Sequence, residues 1–350
     1  MTSALGAVMV IGLFLDGWDH INLLDGKLGS FFSPWHALLY AGFSATAVWV
    51  LLLNQHLIRR SVAPGPHAQD FLGVPLRYPL AVVGIGIATV GLGGDLIWHS
   101  AFGEEAGVAR VIGPFHTLLF AGAGLLVSAS FRSAWHAPDA YPVAPSFRTI
   151  LPPLLSLTLA TAMAAFIFQW VSAFMDWDPS LRIDRLPGEL AGRSGVQDTA
   201  EIVGVARIAT TNLVLMGALL LALRRWRLPF GSATLLFVAV ATLMSALAEF
   251  RLGWTILGAL AGGLIADALV GRLRASPLRP RSHRVVGGAV PVVLWSVYFG
   301  ALSALEDVVW PLDLALGTIA LMGLFGVVIS VLVLPPALPP GAWDVRESGS

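Results

Sequence analysis

Along the chain, stretches of apolar residues alternate with short clusters of charge or proline. The apolar stretches fall near 3–22, 36–55, 78–100, 115–132, 149–175, 203–223, 231–249, 253–271, 286–304 and 311–334. A helix rises about 1.5 Å per residue, so about 20 residues cross the roughly 30 Å apolar core of a bilayer. The pattern therefore predicts an all-α integral membrane protein of about ten transmembrane helices. The first apolar run, in "MTSALGAVMVIGLFLDGW", is short for a span, so its helix is expected to continue through Asp16 towards His20. It has no Lys or Arg ahead of it and no evident small-residue cleavage site, so it reads as a membrane helix rather than a signal peptide.

Composition supports this reading. Of 350 residues, 56% are hydrophobic and 12% charged, where a soluble domain carries about a quarter charged. A net charge of zero argues against a nucleic-acid partner. The absence of cysteine excludes disulfides, thiolate metal sites and a cysteine nucleophile, so any metal must be held by nitrogen and oxygen.

Arginines decide the expected orientation, because those near helix ends stay in the cytoplasm. Connections after the second, fourth, sixth and eighth spans, with the C-terminal tail, hold Arg59, Arg60, Arg77, Arg132, Arg148, Arg224, Arg225, Arg227, Arg272, Arg274, Arg279, Arg281, Arg284 and Arg346. Both termini are thus expected in the cytoplasm of a cell with the chain in its inner membrane. Three regions follow: a four-helix unit at 1–135, a six-helix region at 136–335 with an outer loop near 176–202, and a tail at 336–350.

The four-helix unit is a tandem repeat of two helices. "DGWDHINLLDGKLGSFFSPWHALLYAG" (16–42) aligns with "DLIWHSAFGEEAGVARVIGPFHTLLFAG" (95–122), about 80 residues on. Asp16 and His20 match Asp95 and His99, and Pro34-Trp35-His36 matches Pro114-Phe115-His116. Asp and His at i and i+4 share a helix face, and a proline opening the return helix costs no hydrogen bond. One carboxylate and two imidazoles per copy can therefore converge on an ion: copper, iron or zinc. All six residues are expected near the outer face. One dinuclear centre and two mononuclear sites both satisfy the repeat.

At these residues the chain resembles the C subunit of the particulate methane and ammonia monooxygenases, copper-containing membrane oxygenases. That family carries Asp-x-x-Trp-His followed by Thr-Pro-x-His, three ligands that bind copper within the membrane. "DLIWH" with "GPFH" is similar, Trp98 included; "DGWDH" with "SPWH" keeps the ligands but not the Trp. The family's second set has Asn where both copies here have Asp. The resemblance covers roughly residues 10 to 130. It implies a copper-dependent oxidoreductase acting on a small hydrophobic substrate, with additional membrane or soluble subunits as partners beside the lipid bilayer.

Two other functions fit the same residues. A copper-handling or transport protein would need a polar path inward, for which Asp267, Arg207 and Asn212 are the hints. A zinc-dependent membrane hydrolase would need a base beside the metal, for which Glu104 or Glu105 is placed. Glu249, Arg251, Glu306, Asp307 and Asp313 are read as marking helix ends at water, and "GALAGGLIADA" around Asp267 as a close-packing face. His56, His67, His136 and His283 fall on the cytoplasmic side and are assigned no site. "GLGGD" (91–95) lacks the strand–turn–helix setting of a nucleotide loop.

Overall fold

The computed structural model describes residues 1–22, 33–60, 78–103, 108–175, 194–306 and 310–335, and every regular element among them is helical. Glu104, Glu105, His67, Arg77, Asp307, Arg346, the segment 176–193 and the tail lie outside the described residues, as do the side chains of His56, Arg59 and Arg60.

Helices α1 (Thr2–Asn22), α2 (Pro34–Arg60), α3 (Pro79–Phe102), the single turn α4 (Ala109–Ile112), α5 (Pro114–Val127) and α6 (Ala129–Trp135) come first in the chain. They are followed by α7 (Phe147–Ile167), α8 (Ser194–Arg225), α9 (Ser232–Leu247), α10 (Thr255–Leu273), α11 (Pro280–Leu305) and α12 (Leu312–Val333). Eight of these are long and apolar enough to cross a membrane, and α5 with α6 makes a ninth, bent by 45°. With the shorter α9, each of the ten apolar stretches of sequence corresponds to a helix or bent pair. The chain is an integral membrane protein.

The repeat is built from closely crossing antiparallel hairpins, α1 with α2 and α3 with α5. A Cβ on Gly12 would lie 2.6 Å from the backbone nitrogen of Leu39, and one on Gly42 2.5 Å from that of Met9. In the second hairpin, Gly91 would meet the nitrogen of Leu119 at 2.8 Å and Gly122 that of Ala88 at 2.5 Å. Gly12 and Gly91 each stand one turn before the aspartate, and Gly42 and Gly122 each stand six residues beyond the second histidine. Only residues without a side chain let the backbones approach so closely, so the two copies repeat a packing geometry as well as a ligand set.

α7 forms the centre of the bundle. Two-thirds of its spanning window (67%) is buried, against 22% for α2 and 28% for α3, which leaves those two helices largely on the outside of the bundle. One side chain of α7 bends its neighbour: Ser156 Oγ donates to the carbonyl of Val127 (2.5 Å) and accepts from the amide of Phe131 (3.1 Å). A hydroxyl inserted into the backbone ladder is a known cause of a kink. It divides the expected span 115–132 into α5 and α6.

Two further spans differ from expectation. The stretch 149–175 does not continue as one helix: α7 ends at Ile167, followed by a 3-10 turn at Gln169–Val171. α8 takes up backbone groups released there, Thr211 Oγ1 accepting from Ala173 N (2.9 Å) and Arg207 Nε donating to Trp170 O (3.3 Å). α9 has 16 residues, about 24 Å. Its N-terminus is capped from α10 by Asp267, which accepts from Ala233 N (3.0 Å), Thr234 N (3.1 Å) and Thr234 Oγ1 (2.7 Å). α8 also begins ahead of the expected 203, so 194–202 is helical rather than part of an outer loop.

Candidate metal centre

Each hairpin brings its three residues together where its helices meet. Asp16 and His20 lie one turn apart on α1, and His36 projects from the first turn of α2, where Ser33 Oγ accepts from the His36 amide at 3.1 Å. Asp95 and His99 lie likewise on α3, and His116 on the first turn of α5, which opens at Pro114. Within each triad, one ligand atom per residue lies within 4.8 Å of the other two. The sequence-predicted groups Asp16, His20, His36 and Asp95, His99, His116 form two separate clusters.

The separations are those a shared ion requires. His36 Nδ1 is 3.0 Å from Asp16 Oδ1, and His99 Nε2 and His116 Nδ1 are 3.3 and 3.5 Å from Asp95 Oδ1. Ligands about 2.1 Å from a tetrahedral ion sit about 3.4 Å from each other. The carboxylates are the most enclosed members: Asp95 is 5% exposed and Asp16 9%, while the four imidazoles are partly exposed. Asp16 Oδ1 is buried and receives no well-formed hydrogen bond. A buried carboxylate oxygen left that way is costly unless a cation faces it.

Tautomers sharpen the chemistry. His99 Nδ1 lies 3.1 Å from the carbonyl of Gly103, which can only accept, so Nδ1 carries the proton. In the neutral ring Nε2 then turns its lone pair on Asp95 Oδ1. Two acceptors 3.3 Å apart repel unless a proton or metal ion lies between them. His20 Nδ1 is similarly fixed by the carbonyl of Asp16 at 2.8 Å. Such backbone contacts orient imidazoles that ligate metals.

Both triads open onto one cavity of about 290 Å³. Its walls are mainly apolar: Met9, Leu13, Leu92, Leu119 and Phe120 come from the repeat, and Met163 and Phe166 from α7. Beyond the six ligand candidates, the polar groups on the wall are Tyr40, Gln169 and the indole of Trp170. Tyr40 stands one turn after His36, its ring 5.6 Å from the imidazole. Phe120 occupies the equivalent position in the second copy, so the symmetry of the wall is broken by one hydroxyl. Behind the ligands, the aromatic support also differs. Trp98 packs on Phe115 at 5.9 Å, whereas at the equivalent positions of the first copy Asp19 accepts from Trp35 Nε1 at 3.1 Å.

The remaining polar candidates lie away from this cavity. Asp267 caps α9, within the close-packing face expected of its helix, where Gly262 rests on Leu294 and Gly263 on Thr234. Asn212 Oδ1 accepts from Trp295 Nε1 (3.1 Å), Glu306 Oε1 accepts from Trp254 Nε1 (2.9 Å), and Arg251 donates to the carbonyl of Ala248 (3.2 Å). Asp313 stands in the first turn of α12, and Glu249 follows α9 with a left-handed backbone. His136 ends α6, and the buried His283 has Nε2 3.3 Å from the carbonyl of Leu220. Gln169 and Tyr40 were not anticipated from sequence. A glutamine within an apolar stretch, and a Tyr/Phe mismatch inside an aligned repeat, were the available signals.

Comparison with family models, with curated proteins and with solved structures finds no match for this chain.

Proposed function

We propose that the protein is a copper-dependent membrane oxidoreductase that holds a small hydrophobic substrate between two metal sites. The observation that carries this reading is the opening of both Asp-His-His triads onto a single, mainly apolar cavity. Asp16, His20 and His36 would hold one ion, and Asp95, His99 and His116 the other. Three protein ligands leave a coordination position open towards the cavity, as catalytic metal sites require. With nitrogen and oxygen donors alone, the Irving–Williams order favours copper over zinc and iron. Copper would supply one-electron redox chemistry and activation of oxygen. The chain's own contribution is to orient the imidazoles through the carbonyls of Asp16 and Gly103, to bury the carboxylates, and to admit an apolar molecule while limiting water.

The ligand pattern is similar to that of the monooxygenase C subunit, which supports the same ion and reaction class. On this reading the triads face the outer side of the inner membrane, both termini are cytoplasmic, and further subunits complete the assembly. A transport path has less support, since Asp267 and Asn212 are engaged in packing and capping and neither lines the cavity.

The test is oxygen consumption by copper-loaded protein in nanodiscs, with a quinol as external reductant and a short-chain hydrophobic compound as substrate. The reading expects substrate-dependent oxygen uptake with an oxidised product, absent from the His20→Ala/His99→Ala variant. Uptake that ignores the substrate or survives the double substitution refutes it, and turnover of a hydrolysable substrate with zinc alone would replace it by the hydrolase.

A further inference from the structure

The two triads repeat their ligands but differ at the residue ahead of the proline that opens the return helix, Ser33 in the first copy and Gly113 in the second. Ser33 Oγ lies 3.1 Å from His36 Nδ1, and as the cap of α2 it accepts from the His36 amide, also at 3.1 Å. Nδ1 is the His36 atom that faces Asp16 Oδ1, at 3.0 Å, so it is the atom an ion in the first triad takes. In the second copy His116 Nδ1 faces Asp95 Oδ1 at 3.5 Å, and Gly113 has no hydroxyl to offer it.

We propose that the Ser33 hydroxyl makes the two sites unequal: it competes with the ion for His36 Nδ1, so that the second triad fills first and the first triad holds the exchangeable ion. The inference rests on the reading that both triads bind copper. Whichever atom of the Ser33 and His36 pair donates, their bond is lost when an ion occupies the Nδ1 lone pair. A ring that donates from Nδ1 must move that proton to Nε2, and a ring that accepts there must give up the hydroxyl. Loss of one neutral hydrogen bond weakens binding about three- to tenfold. The bond from the His36 amide does not involve the ring, so it keeps Ser33 Oγ beside the site, placed to retake Nδ1 when the ion leaves.

The experiment reads copper affinity one site at a time, by titrating the full chain in nanodiscs against a competing chelator. His20→Ala leaves the second triad intact, and His99→Ala the first. The second triad is expected to bind copper about threefold or more tightly than the first. In the His99→Ala protein, Ser33→Gly should tighten binding by about three- to tenfold, while Ser33→Thr, which keeps the hydroxyl, should leave it unchanged. Glycine is tolerated at a helix N-cap, and a gain of affinity cannot arise from damage to the fold. A first triad that binds as tightly as the second overturns the proposal. So does a first triad whose affinity Ser33→Gly leaves unchanged or lowers; a lowered affinity places the ion on Nε2, with Ser33 as the group that orients the ring. Absence of copper from both single-triad proteins refutes the reading of the triads themselves, so that failure is distinguishable from failure of the role given to Ser33.

Discussion

Asp16 and Asp95 are the residues on which the two sites depend. Each is the carboxylate within reach of both imidazoles of its triad, and each is buried where an uncompensated charge is expensive. Replacing either by Asn keeps shape and removes charge. Asp16→Asn or Asp95→Asn should weaken copper binding at its own site by about a hundredfold or more, beyond what loss of an outer-shell partner costs, and leave the other site intact in a copper titration. Asp267 has the contrasting role of a cap built by a neighbouring helix. Asp267→Ala should cost about 2 kcal/mol in a denaturation measurement while copper content stays unchanged. The six ligands were legible in the sequence because the chemistry is written twice with one spacing. Gln169 was not, because the apolar stretch around it reads as one continuous helix. Its end at Ile167 depends on Thr211 and Arg207, which come from another helix.

The hairpin is the unit that repeats, and its glycines set how near the ligands come. Gly12 faces the backbone of Leu39, which cannot give way as a flexible side chain can. Gly12→Val should therefore part α1 from α2 and abolish the ion at the first triad while the second keeps its own. Gly124 has nothing within 4 Å of the added Cβ, so Gly124→Ala should leave both ions and the thermal transition unchanged. Spin-label distances between α1 and α2, read beside copper content, check both expectations. Element positions were well marked by apolar length, because bilayer thickness imposes it. Element ends were marked less well. The bend between α5 and α6 is fixed by Ser156, and the start of α9 by Asp267, contacts that join residues distant in the chain and have no local signature.

The cavity belongs to the whole bundle. The repeat supplies both triads, but Met163, Phe166 and Gln169 come from α7 and the turn after it, so the repeat alone would leave the chamber open on that side. Of the six helices without a repeat, α7, the most buried span, thus has a defined part in the account, and α8 and α9 pack against it. Filling the chamber separates binding of metal from binding of substrate. Leu13→Trp, which projects bulk from α1 into the cavity, should retain both ions and lower turnover by about tenfold or more.

The central claim, that two separate triads each hold an ion, is tested most directly by copper stoichiometry. The measurement is elemental analysis of purified, copper-loaded protein, comparing wild type with His99→Ala and with His20→Ala/His99→Ala. The account predicts two ions per chain, then one, then none. Wild-type protein that takes up no metal, or a double variant that keeps what the wild type holds, would contradict it.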